Sequence, residues 1–296
     1  MPELSRYLQF FFSGITMGGI YALMAVSLTI VYRVSKAINF VQGEFFMIGA
    51  LTLTSLLAFK IVPFFLAIAL SLALVGAVGI LTEKVIIHPL REASIGIIVT
   101  MTIGASLFIK GLGMLIWGKE PVIVKPFIRM APIRVGEATI SPQALVILFT
   151  ALVVVVFLWY FFEKTETGLA MRACAENRVG AKLVGINPSA IVTIAWVLGA
   201  ALGALAGILI TPLLFIDYLI GTVPMLKGFI AIAIGGLSSI SGAIIGGILI
   251  GLIEAFSIGL VSSRFADVTL FGILILILIF RPGGIIGKED IETGGM

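Results

Sequence analysis

The stretch VILFTALVVVVFLWYFF, residues 146–162, carries no charge and no alternation of apolar with polar side chains. Such a run suits a hydrocarbon core about 30 Å thick only as a helix, which closes its own backbone hydrogen bonds where lipid offers none. A transmembrane barrel needs short alternating segments, and residues 270–280 do not alternate either. The rest of the chain has the same character: of 296 residues, 60% are hydrophobic and 11% charged, and the mean hydropathy is +1.23. These features predict an all-α, polytopic integral membrane protein, a single transmembrane domain over 1–296.

Working outward from that run, candidate spans fall at about 7–32, 37–59, 62–82, 94–117, 143–162, 188–211, 223–237, 242–262 and 267–281. The seventh is short. From Val223 to Gly236 a helix rises only about 21 Å, so it reads as re-entrant or broken, and the bundle has about eight or nine crossings. The first stretch is too long for the core of a cleaved secretory signal and reads as a retained helix. Ser141-Pro142 and Asn187-Pro188 each place a capping residue before a proline, which marks two helix starts. Small residues recur at four-residue spacing in three rows: Gly14, Gly18 and Ala22; Gly199, Gly203 and Gly207; and Gly247, Gly251, Ala255 and Gly259. They predict close helix packing.

Immediately after the opening run comes EKTETGLAMRACAENRVGAKLVGINPS, residues 163–189, a charged, helix-forming island that should present a docking surface to something soluble. Met171, Ala175, Val179 and Leu183 recur every four residues, predicting one short helix over 169–183, with Arg172 and Glu176 paired across a turn and Gly185 ending it. The segment 118–142 is the other large loop. Lys164, Arg172, Arg178 and Lys182 in the first are matched in number by Lys119, Lys125, Arg129 and Arg134 in the second, so parity must help set the orientation. With 163–189 in the cytoplasm, Arg33, Lys36, Lys84 and Arg91 also fall inside, and nine crossings put the N-terminus outside.

Ionisable residues within apolar stretches are costly, so Glu44, Lys110 and Glu254 need accounts. Lys110 lies near Trp117, and its ammonium is expected to snorkel toward the interface. Glu44 follows the polar opening Asn39-Phe40-Val41-Gln42-Gly43, where a first-turn carboxylate is favoured by the helix dipole or where Asn39, Gln42 and Glu44 line a water-accessible path. Glu254 should face the bundle interior, paired or protonated, as a structural group or on a path. The break Gly235-Gly236-Leu237-Ser238-Ser239-Ile240-Ser241-Gly242 marks a turn or cavity, so Ser238 and Ser239 join the path candidates.

Several function classes are excluded or weakened. No Gly-x-Ser-x-Gly, His-Glu-x-x-His or nucleotide-binding Gly-x-x-x-x-Gly-Lys-Ser/Thr occurs, the nearest approach to the last continuing Gly287-Lys288-Glu289. One cysteine, Cys174, forms no internal disulfide, and His88 forms no metal site with it. The net charge of +4 belongs to loop lysines and arginines rather than to a nucleic-acid surface.

Gly19-Ile20-Tyr21-Ala22-Leu23, Asn39-Phe40-Val41-Gln42-Gly43-Glu44 and Arg172-Ala173-Cys174-Ala175-Glu176-Asn177, with Ala181 and Gly185-Ile186-Asn187, form an ordered series. It continues through Lys227-Gly228-Phe229, the Gly235 to Ala243 break and the tail Arg281-Pro282-Gly283-Gly284-Ile285-Ile286-Gly287. In this order and spacing the chain resembles the permease subunits of branched-chain amino acid ABC importers. It departs from many of them at Gln42, where they carry histidine, so that position offers no protonatable group. The resemblance implies a prokaryotic cytoplasmic-membrane importer: two related permeases, as a heterodimer, with two cytoplasmic ATPases that hold ATP and Mg, and an extracytoplasmic solute-binding protein. It makes Arg172, Ala173, Glu176, Asn177, Ala181, Gly185 and Ile186 the ATPase-coupling loop and implies no cofactor or ATPase site in this chain. Relatives carrying urea or short amides leave the substrate open, and an ion-gradient-driven secondary transporter using Glu44 and Glu254 is the competing mechanism.

Overall fold

The computed structural model describes residues 2–286 apart from positions 37, 61, 91, 92, 129 and 282, with Pro2 described by its backbone alone. The orientation residues Arg91 and Arg129, and Pro282 and Gly287 of the tail motif, lie outside the described residues. Among the described residues eleven α-helices run α1 Pro2–Ser35, α2 Gln42–Ala58, α3 Phe64–Thr82, α4 Ile95–Trp117, α5 Pro142–Lys164, α6 Glu166–Glu176, α7 Arg178–Leu183, α8 Pro188–Ile210, α9 Thr222–Gly235, α10 Ile240–Leu260 and α11 Ala266–Phe280. A small antiparallel hairpin, β1 Ile133–Val135 and β2 Ala138–Ile140, precedes α5. Among the described residues, seven helical segments are long and apolar enough to cross a membrane: α1, α4, α5, α8, α10, α3 with its continuation to Ile87, and the segment of α11 with the short turn before it.

The two remaining apolar helices are short. α9 has 14 residues, as the sequence predicts for its seventh span. The expected span 37–59 is corrected: α2 has 17 residues and starts only at Gln42. The reason is local, because the Asn39 side chain accepts a hydrogen bond from the Val41 N–H at 2.9 Å and turns the chain before the helix can begin.

The predicted caps are in place. Ser141 Oγ accepts from the Ala144 N–H at 3.1 Å, and Asn187 Oδ1 accepts from the Ser189 and Ala190 N–H groups. The loop helix is corrected. Asn177 ends α6 and caps α7, its Oδ1 accepting from the Gly180 N–H at 2.8 Å, so 169–183 is two helices rather than one. The break splits the expected apolar stripe: Met171 is buried while Val179 and Leu183 are exposed. Gly185, at φ 88°, ends α7, with the Ile186 N–H bonded back to Ala181 O at 3.0 Å.

The rows of small residues assemble the core. Gly14 and Gly18 of α1 lie against Leu252 and Ile248 of α10, and Gly247 of α10 lies against Ala22 of α1. Gly203 and Gly207 of α8 receive Gln42 and Phe46 of α2, while Gly49 of α2 receives Ala204 of α8. Backbones this close gain dispersion where lipid supplies no hydrophobic drive between helices. The two large loops occupy opposite ends: Gln9 of α1 accepts from the hairpin N–H of Thr139 at 2.8 Å, and Arg33, near the other end of α1, lies over the Phe162 ring beside α6.

Replacing Gly49 with leucine should therefore damage the α2–α8 contact, because even a Cβ there would stand 2.7 Å from Ala204 atoms. Overpacking of this kind costs about 1–3 kcal/mol, and a lower melting temperature of the purified membrane protein is the expected result.

Candidate functional site: a polar cluster at mid-membrane

α2 begins halfway through the bundle. Gln42 donates from Nε2 to the backbone oxygen of Gly199 at 2.7 Å, and Gly199 is the middle residue of α8. Glu44 Oε1 accepts from Ser106 Oγ at 2.7 Å, and Ser106 is the middle residue of α4. α9 begins against the same place: a Cβ at Gly43 would lie 2.8 Å from Gly221 O, just ahead of Thr222. The positive ends of two short helices thus meet at one depth. Broken helices ending inside a membrane require protein or water around their free backbone groups, which makes such junctions natural ligand sites.

Two of the suspects of sequence share this junction. Lys110 is corrected: rather than snorkelling, it donates to Thr222 Oγ1 at 3.1 Å and lies 3.6 Å from Glu44 Oε1. Glu44, 2% exposed, needs that cation, since an unpaired carboxylate at this depth would cost far more than the pair. Trp117, the expected guide for Lys110, instead donates to Ser55 Oγ at 2.8 Å. Asn39 donates from Nδ2 to Gln42 Oε1 at 3.1 Å, so Asn39, Gln42 and Glu44 form one connected polar group.

The other candidates lie elsewhere. Glu254 of α10 pairs with Lys227 of α9 at 2.5 Å, and Lys227 also donates to Tyr21 Oη at 3.4 Å and sits over that ring. Asp267 of α11 lies 3.8 Å from the same ammonium, while Glu254 Oε2 is buried with no hydrogen-bond partner among the described residues. Ser239 caps α10 by accepting from the Gly242 N–H at 3.0 Å, and Ser238 is exposed at the end of the bundle near the 163–189 island. Lys227 was legible as a lysine inside a short span whose neighbour carries Glu254. Glu83 also escapes sequence reading. It is fully buried in a π-turn that extends α3, and accepts from Thr193 Oγ1 of α8 at 2.9 Å.

The island itself folds onto the end of the bundle. Arg172 pairs with Glu163 at 2.7 Å, which corrects the expected bond to Glu176: α6 turns back along the end of α5 and brings Glu163 within reach. Met171, Cys174 and Ala181 are buried, and burial pushes the Cys174 thiol up from its ordinary pKa. Val179, Leu183 and Val184 remain exposed with Asn177, Glu176, Arg178 and Lys182 around them. At the opposite end, a cavity of about 350 Å³ lies between the start of α1, β2, the start of α5 and Leu213–Leu214, lined in part by Gln9, Ser13, Thr16 and Thr139.

Residues 10–279 match the family described as the permease component of branched-chain amino acid transport systems. The permease protein BraD of a high-affinity branched-chain amino acid transport system of Pseudomonas aeruginosa is 36% identical, over 99% of each chain. LivH of Escherichia coli, with the same description, is 33% identical over 97% of each. A probable branched-chain amino acid permease, LivH of Methanocaldococcus jannaschii, is 29% identical over 93% of this chain and 91% of its own. No solved structure matches.

The Lys227–Glu254 pair generates a test of its own. Lys227→Met or Glu254→Gln alone strands a buried charge and should cost about 3–5 kcal/mol, whereas the double variant should recover most of it. Melting temperatures of the three purified variants read the difference.

Proposed function

Because the chain belongs to the permease family of branched-chain amino acid transport systems, we propose that it forms half of the membrane path of an ATP-driven importer for branched-chain or similar aliphatic amino acids. In this reading it sits in a prokaryotic cytoplasmic membrane with a second, homologous permease. Two cytoplasmic ATPases carry ATP and Mg, and an extracytoplasmic binding protein delivers the substrate. Residues 163–189 face the cytoplasm and 118–142 the outside, and the N-terminus is outside with the hairpin.

One observation carries the coupling: an unbroken mechanical line from the exposed island to the mid-membrane junction. α7 joins α8 through Gly185, Ile186 and the Asn187 cap. α8 holds α2 through its glycine face and through Gly199 O. A push on α7 by ATPase closure is therefore delivered to the start of α2, where Gly43 abuts Gly221, and in this reading that contact is the seal of the path. Small shifts of packed helices are enough to switch such a seal between two arrangements. Val179, Leu183 and Val184 offer the apolar contact for the ATPase, and Arg172, Ala173, Glu176, Asn177, Ala181 and Ile186 shape or flank it. Asn39, Gln42 and Glu44 line the path at the seal. Ser238, Ser239 and Glu254, in separate parts of the structure, serve as supports of the α9–α10 side that faces it.

Arg172→Glu replaces the partner of Glu163 with a like charge, and Gly185→Leu forces a bulky side chain into a φ of 88°. Each should lower substrate uptake per ATP hydrolysed in proteoliposomes holding the complete transporter, with the membrane domain still folded. Unchanged coupling in both would count against the docking assignment, and uptake by this chain alone in liposomes would overturn the ATP-driven reading.

A further inference from the structure

The charges at the α2–α9 junction can be assigned to the two charged ends of the substrate. We propose that Glu44 and Lys110 form the seat of a zwitterion, receiving the ammonium and the carboxylate of a free aliphatic α-amino acid as it passes. This rests on the reading of the chain as a permease.

The pair is held apart. Glu44 Oε1 is engaged by Ser106 at 2.7 Å and Lys110 Nζ by Thr222 at 3.1 Å, so the two charges stand 3.6 Å from each other, beyond a good hydrogen bond. A lysine ammonium has three donors and a carboxylate accepts several bonds, so each group keeps capacity for a further partner. Separating the two charges with nothing in exchange would leave both uncompensated at mid-membrane. A zwitterion removes that cost by supplying both opposite charges at once: its ammonium takes Glu44, and its carboxylate takes Lys110 and the positive first turn of α9. A neutral amide or urea of similar size supplies neither charge.

The apolar neighbours of the pair are adaptable side chains. Met47 lies against Gly113 of α4 and Met225 against Gly43, and methionine adapts its shape to varied apolar partners. The Lys110 side chain is 18% exposed and that of Glu44 3%, so the lysine is the open edge of the pair. Lys110 thus takes the substrate first, by its carboxylate, and Glu44 takes the ammonium as α2 draws away from α9.

The experiment uses the complete transporter, this chain with its second permease, ATPases and binding protein, and follows L-leucine uptake in proteoliposomes. Glu44→Gln and Lys110→Met should each reduce uptake by at least about tenfold. The double variant E44Q/K110M should stay equally low, because it has no charge left to receive the substrate. A purely structural pair behaves in the opposite way: neutralising both partners restores packing and therefore uptake, and that result overturns the proposal. A measurement without variants runs beside it. L-leucine at about 20 mM should raise the melting temperature of the wild-type membrane complex free of binding protein, and 4-methylpentanamide should not. No shift with leucine, or equal shifts with both, likewise overturns it. Failure of wild-type transporter to import leucine at all refutes the amino-acid-importer reading instead.

Discussion

The α2–α8 contact is the constraint on which the rest of the bundle depends. A helix that starts at half depth exposes its first N–H groups where water is scarce, and this is tolerable only if protein surrounds them. Gly203 and Gly207 let α2 approach close enough for the Gln42 amide to reach the Gly199 oxygen in the middle of α8. Larger residues on that face would push α2 outward and break that bond. The position of the carboxylate, the need for Lys110 opposite it and the contact of Gly43 with Gly221 all follow from this one approach.

The buried charges share a design. Glu44 with Lys110, and Glu254 with Lys227, are each shared between two helices and each flanked by a hydroxyl, Thr222 or Tyr21. Both pairs touch α9, one at its first residue and one a turn later. Attached in this way to α4 and α10, the short helix has fixed neighbours along both flanks although it is too short to reach both membrane surfaces. Its length and its charges are therefore linked: a full-length apolar helix would not need such fastening.

Much of this was legible in the residues alone. Uncharged runs such as 146–162 and the Ser141 and Asn187 caps fixed helix type and two starting points, because lipid and cap geometry leave few alternatives. The shortness of α9 was legible from simple rise per residue. The late start of α2 was only half legible: the polar opening at Asn39 was visible, but not that its side chain turns the chain and delays the helix to Gln42. Partnership between distant charges was out of reach. Lys110 and Glu44 are far apart in sequence, and nothing in either local pattern shows that α2 and α4 face each other. The split at Asn177 was similarly masked, since a four-residue repeat continues across it while the side chain chooses to cap the next turn.

Cys174 offers a practical consequence. The only thiol of the chain lies on the buried face of α6, 3% exposed, and burial pushes its pKa up. Maleimide and spin-label reagents should pass it by, so reporter cysteines placed on α2 and α9 can be read against a silent background without first removing the native one. The molecule thus comes ready for spectroscopic distance measurements between its two short helices.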